Sequence, residues 1–118
     1  MRIVILDDEL IVAQVLAAGV RSRGRNFSII ALSSPREAVE ILTGNDILVT
    51  DFYMPEMTGL DVARAAYDRG WRGPLFVMSG RTEALVQPSE GPRIVSFLKK
   101  PFPIEMLLQV LFPPPEAG

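Results

Sequence analysis

Five short apolar runs, rich in β-branched residues, divide the chain at intervals: residues 3–6, 28–32, 47–49, 75–78 and 94–98. Runs this short and this continuous read as strands buried on both faces, the pattern of a parallel sheet. Helical segments fit between them at residues 9–23, 35–43, 59–69 and, weakly, 83–87, and a last one fits residues 104–112. Strands alternating with helices specify βαβ units and hence an α/β fold. Ser34-Pro35-Arg36-Glu37 reads as a capping box with proline at the first helical position, and Gly44 is expected to stop that helix. Gly24 and Gly70 are expected to close the first and third helices in the same way. Ile104, Leu107, Leu108 and Leu111 recur at helical spacing, so the last helix packs one face on the sheet. Two prolines and a glycine in residues 87–92 leave the fourth helix short, irregular or replaced by a loop.

A chain of 118 residues suits one domain, here residues 1–112, with a proline-rich tail over 113–118. The net charge of −2 gives no bulk electrostatic case for nucleic acid or anionic membrane. Cysteine is absent, which excludes disulfides and thiol chemistry. Histidine is absent too, which removes Ser-His and Cys-His catalysis and zinc-histidine sites, so any phosphohistidine must belong to a partner. Met1-Arg2 runs straight into a strand, so no signal peptide is legible. The longest apolar stretch, residues 10–20, is too short to span a bilayer. A soluble cytoplasmic protein is expected.

The first run leads into Asp7-Asp8-Glu9 and the third into Thr50-Asp51. Each strand thus delivers carboxylate to the carboxyl edge of the sheet, where open α/β sheets bind ligands. Carboxylates gathered in one place raise each other's pKa unless a cation sits among them, and oxygen donors suit a hard divalent ion such as Mg²⁺. The fourth run ends at Ser79-Gly80 and the fifth leads to Lys99-Lys100-Pro101, so a hydroxyl and an ammonium reach the same edge. An acid pair, a lone aspartate, a serine and a lysine are the parts needed to move a phosphoryl group onto a carboxylate. The cations neutralise two anions that must meet, and the rest is positioning. An acyl phosphate that hydrolyses slowly is a switch instead of a turnover step.

Over nearly its whole length the chain resembles a response-regulator receiver domain. The matching residues are Asp7-Asp8-Glu9, Asp51-x-x-Met54-Pro55-x-Met57-x-Gly59, Ser79-Gly80 and Lys100-Pro101-Phe102, in order and each at a strand end. The resemblance implies a flavodoxin-like, doubly wound five-stranded sheet in the order 2-1-3-4-5. It implies Asp51 as phosphoacceptor, with Asp8 and Asp51 binding Mg²⁺ directly. The backbone carbonyl of Tyr53 would be the third protein ligand, and Asp7 would act through a metal-bound water. Lys100 would pair with the acceptor or its phosphate, next to a cis Lys100-Pro101 bond. Ser79 would move toward the phosphoryl group and Phe97 would turn inward with it. The donor would be a histidine kinase or a histidine phosphotransfer protein, and the output a downstream protein target. The domain would be a signalling receiver, not an enzyme, that assists its own phosphoryl transfer and hydrolysis.

Each residue also has a plainer reading. Asp7, Asp8 and Asp51 could be helix caps or turn residues, Ser79 a cap, Lys100 a solvated lysine and Phe97 a core filler. The first helix carries more apolar residues than one buried stripe needs, so Ile11 and Val15 offer either a docking face for a helical phosphodonor or a merely alanine-rich surface. Tyr53 and Arg81 flank the mouth of the site, where a ring and a cation would shield an acyl phosphate and slow its loss. The irregular segment before the last strand puts a standard dimer through that face in doubt and leaves homodimerisation open. Two rival functions stand behind the receiver: a degenerate receiver serving only as an interaction module, and a Mg²⁺-dependent aspartyl phosphatase. The latter usually carries an acid two residues after its nucleophile, where this chain has Tyr53.

Overall fold

The apolar runs form one sheet, in which every neighbouring pair of strands is parallel. A computed structural model describes residues 1–23, 26–81 and 87–114. Its elements are β1 (Arg2–Leu6), α1 (Leu10–Arg21), β2 (Ser28–Leu32), α2 (Pro35–Ile41), β3 (Ile47–Asp51), α3 (Gly59–Asp68), β4 (Leu75–Ser79), β5 (Ile94–Lys99) and α4 (Ile104–Leu111). The strand order is β2-β1-β3-β4-β5, as the resemblance implies. The order reverses between β1 and β3, which makes the carboxyl ends of those two strands the crevice of the fold.

Alternation along the strands divides the core in two. Ile3, Ile5, Val49, Met78 and Leu98 face Ala13, Ala17 and Val20 of α1 and Leu107 of α4. Val4, Leu6, Leu48 and Val77 face Ala38 of α2 and Val62, Ala63 and Ala66 of α3. Alanine at the helix contacts lets backbone approach sheet closely, and the large side chains come mostly from the strands. Each fully buried aliphatic side chain there contributes about 1.5–3 kcal/mol relative to exposure. Packing on both faces is why β1, β3 and β4 lack polar alternation; contrary to the expectation for all five runs, the edge strands β2 and β5 are only partly buried, because each has a neighbour on one side alone.

Several local expectations need correction. The first helix starts at Leu10, because Glu9 keeps an extended backbone as its N-cap. Gly44 does not stop α2: Leu42 is already extended, and Gly44, at φ 56°, shapes the turn that follows. Gly70, at φ 106°, does close α3, its N–H donating to the Tyr67 carbonyl at 3.0 Å. Only half of the first box forms, with the Ser34 hydroxyl accepting from the Glu37 N–H at 3.2 Å. A reciprocal box caps α3 instead, between Thr58 and Asp61. Gly24 and most of the expected fourth helix at 83–87 lie outside the described residues. Gln87, its described end, is not helical: its side-chain amide takes both the N–H and the carbonyl of Ile94. No helix among the described residues is long and apolar enough to cross a membrane.

Candidate functional site

Parallel register brings the acidic residues together. Leu6 lies opposite Thr50, so Asp7 and Asp51 leave neighbouring strands at the same level. Asp7, Asp8 and Asp51 each offer an oxygen, and these oxygens lie within 4.8 Å of one another. Asp7 and Asp51 are buried, whereas Asp8 is exposed. Asp7 is no helix cap. Its Oδ1 accepts the Glu9 N–H at 2.9 Å in a local turn, while its Oδ2 accepts from Lys100 Nζ at 2.7 Å.

Lys100 arrives from the last strand. Its N–H donates to the Ser79 carbonyl at 2.8 Å, and the bond to Pro101 is cis as expected. Its ammonium lies between two acids, but unevenly: 2.7 Å from Asp7 and 3.3 Å from Asp51. It is therefore no solvated lysine, and its nearer partner is Asp7, not the lone aspartate. Burial by itself would lower the Lys100 pKa, but the hydrogen bond to Asp7 and the charge of Asp51 outweigh it and hold the ammonium above its ordinary 10.5.

Asp51 is left short of positive charge. Burial pushes its carboxyl up from 3.8 to about 6; Lys100 opposes the shift, and the charge of Asp7 adds to it. Asp7, Asp8 and Asp51 together have the donor chemistry of a hard-cation site, and Lys100 pairs with two of the three, Asp7 and Asp51. Beneath Asp51 the chain must fold back tightly. A Cβ on Gly59 would sit 2.5 Å from the Asp51 carbonyl oxygen and 2.7 Å from Thr50 Cγ2, which explains a glycine at the start of α3. The Gly59 N–H donates to the Phe52 carbonyl at 2.8 Å and closes the loop that presents Asp51.

Ser79, one residue past the Met78 that pairs with Asp51, makes no hydrogen bond to the acids among the described residues. The Ser79 hydroxyl donates to the Arg81 carbonyl at 2.6 Å and accepts the Arg81 N–H at 2.9 Å, so it is occupied by its own turn. Phe97, opposite Val77 on β5, is 37% exposed and so not a core filler. Across the mouth, the Arg81 guanidinium lies 5.2 Å from the centre of the Tyr53 ring, a cation–π contact joining the two flanking residues. The ring of Tyr53 also meets Phe52 edge-on at 4.8 Å. On α1, Ile11 and Val15 are 69% and 66% exposed, so the surplus apolar residues do face outward. Sequence reasoning missed the Asp7–Lys100 bond and the Thr58 box. The second had a readable signal, Thr-x-x-Asp ahead of an apolar run.

Comparison with known proteins agrees with this arrangement. The family model described as response regulator receiver domain matches residues 3–112. The response regulator protein TodT of Pseudomonas putida is 33% identical over 107 residues, covering 90% of this chain and 47% of the relative. The chain thus spans about half the length of the curated relatives it matches. Among solved structures, the receiver domain of the hybrid histidine kinase CckA is 26% identical with a TM-score of 0.70, covering 94% of this chain and 95% of that one. Response regulator protein TrrA of Thermotoga maritima, in complex with Mg²⁺-BeF, shares the fold at 20% identity and a TM-score of 0.76, covering 93% of this chain and 95% of that one.

Proposed function

This chain belongs to the response regulator receiver family, and from that premise we propose that Asp51 accepts a phosphoryl group from a partner phosphohistidine and holds it as a switch. The observation that carries the proposal is Asp51 itself, a buried carboxylate beside two others with one shared ammonium at 3.3 Å. At neutral pH a group with a pKa of about 6 is mostly ionised and ready as a nucleophile.

In the transfer, an Asp51 oxygen forms a bond to phosphorus as the phosphorus–nitrogen bond of the donor breaks, and the departing imidazole keeps the electron pair and takes a proton. Asp8 and Asp51, with the Tyr53 carbonyl, would hold Mg²⁺, and Asp7 would act through water. When bound, Mg²⁺ neutralises the meeting anions and orients them. Lys100 shares its ammonium between Asp7 and the acceptor, and turns toward the phosphoryl oxygens once these carry more charge than the carboxylate. Ser79 reaches a phosphoryl oxygen only by giving up its bond to the Arg81 carbonyl. That exchange couples phosphorylation to the segment after β4, and Phe97 turns inward to fill the space it leaves. Tyr53 and Arg81 cover the mouth and slow hydrolysis.

The donor is a histidine kinase or histidine phosphotransfer protein docking on the outward side of α1 at Ile11 and Val15, and a downstream protein reads the output. Cytoplasmic placement fits a partner of that kind. The interaction-module reading is not favoured, and the phosphatase reading lacks its second acid, since Tyr53 stands two residues after Asp51. Titration with beryllofluoride, an acyl-phosphate mimic, tests the proposal. A saturable spectral change that needs Mg²⁺ and disappears in Asp51→Asn is expected. A response that survives in Asp51→Asn would refute the assignment of the acceptor.

A further inference from the structure

At the end of the sheet opposite the three aspartates, a groove of about 1030 Å³ crosses the starts of all five strands. Its walls include Ser28 of β2, Arg2 of β1, Ile47 of β3, Pro74 just before β4 and Arg93 just before β5. Neighbouring strands lie about 4.8 Å apart, so a groove crossing five of them runs about 20 Å. An extended segment of about six residues, at about 3.3 Å each, matches that length, whereas a compact metabolite would leave most of it unfilled.

The groove is positive in a chain whose net charge is −2. Arg2 spends its charge on Asp46, the one acid lining the groove among the described residues. Arg72 and Arg93, which also line it, have no ion-pair partner among the described residues. Arg72 is held ready: its guanidinium stacks 3.6 Å from the centre of the Tyr67 ring, and its Nη1 donates to the carbonyls of Tyr67 and Trp71 at 2.7 and 2.8 Å. Those bonds leave Nη2 and Nε without a protein acceptor among the described residues. Among the described residues Arg93 makes a single hydrogen bond, of 3.3 Å, to the Pro88 carbonyl. Val95, 62% exposed, and Pro74 add an apolar wall. Past Pro92 lies a smaller recess lined by Asp68 and Glu90 together with Arg64, so its lining is net acidic.

We propose that this groove binds an acidic, extended peptide segment of a partner protein, with its carboxylates on Arg72 and Arg93 and a small apolar side chain against Pro74 and Val95. The Arg72 guanidinium, held by stacking and carbonyl bonds, loses little freedom on meeting a carboxylate, and the planar forks of both arginines suit one. The single tryptophan reports on the site. Trp71 is buried, and its indole N–H donates to the Asp46 carbonyl at 2.7 Å, beneath the groove.

The test is titration of the chain with a fluorescein-labelled hexapeptide of glutamate and valine residues, followed by anisotropy and by the Trp71 indole resonance. A matching lysine-valine peptide serves as the control, and citrate and AMP as competitors. Saturable binding of the acidic peptide, a shifted Trp71 resonance and no binding of the lysine peptide are expected. Arg93→Glu should weaken binding about tenfold or more while leaving phosphoryl uptake at Asp51 unchanged, which shows that the variant is folded. Arg72→Gln should weaken it in the same direction. Absence of saturable binding, or equal affinity in Arg93→Glu, would overturn the proposal. Citrate or AMP binding tighter than the peptide would do so too, by marking a small-anion site.

Discussion

Two aspartates bracket β3, and they are buried alike: the side chain of Asp46, just before the strand, is 13% exposed and that of Asp51, at its end, 11%. Their surroundings are opposite. Oδ2 of Asp46 accepts from Arg2 Nε at 3.1 Å, Arg2 Nη2 at 2.5 Å and the Thr43 N–H at 3.0 Å. Asp51 has one ammonium at 3.3 Å, shared with a nearer acid, and two carboxylates beside it. A structural carboxylate is saturated with donors, which fixes the chain. Asp51, reactive on the proposed function, is held among like charges with few donors, which costs stability and keeps it available.

The sharpest way to break this comparison is to neutralise each acid in turn. Asp51→Asn should remove phosphoryl uptake altogether, whereas Asp46→Asn should leave uptake intact, as read by Mg²⁺-dependent labelling from a small phosphodonor. In urea unfolding the order reverses. Asp46→Asn should cost about 2 kcal/mol, because it strands the Arg2 guanidinium without its counter-ion.

Asp51→Asn should stabilise the metal-free chain near neutral pH, and the sign follows from linkage. The folded pKa of Asp51, about 6, lies above its ordinary 3.8, so the stability this group contributes is fully present below about pH 3.8 and is lost as pH rises through 6. The gap between Asp51→Asn and wild type should therefore widen from pH 4 to pH 7 by on the order of 2 kcal/mol, and Mg²⁺ should narrow it. A gap that stays constant with pH would mean that Asp51 is not strained.

Gly59→Ala sharpens the comparison from the backbone side, because the added methyl meets the Asp51 carbonyl. We expect a loss of about 1–3 kcal/mol together with weaker Mg²⁺ binding, read by unfolding and by metal titration. The smallest effect concerns the partner. Val15→Glu, on the exposed side of α1, should slow transfer from a phosphohistidine donor several-fold and spare labelling by a small phosphodonor. Equal loss of both would remove the docking role of that face.

The sheet was legible because the apolar runs of its three central strands, buried on both faces, read the same in sequence and in space, and the strand order was legible through the family pattern. Asp7, Asp8, Asp51 and Lys100 were legible because each sits at a strand end, where parallel register alone brings it to the crevice. Choices made by side-chain torsions were not. Spacing cannot say that Lys100 sits nearer Asp7 than Asp51, or that the Ser79 hydroxyl turns to Arg81. Gly44 misled because a glycine just past a helical pattern reads as its stop, whereas Leu42 had already left the helix. The groove at the amino edge has no local signature, since five separate strand starts build it.

Intact mass after incubation with Mg²⁺ and a small-molecule phosphodonor, for wild type and Asp51→Asn, tests the central claim most directly. One labile phosphoryl on wild type, absent without Mg²⁺ and absent from Asp51→Asn, is the predicted result. An adduct retained by Asp51→Asn, or a wild type that gains none while releasing no phosphate, would contradict it.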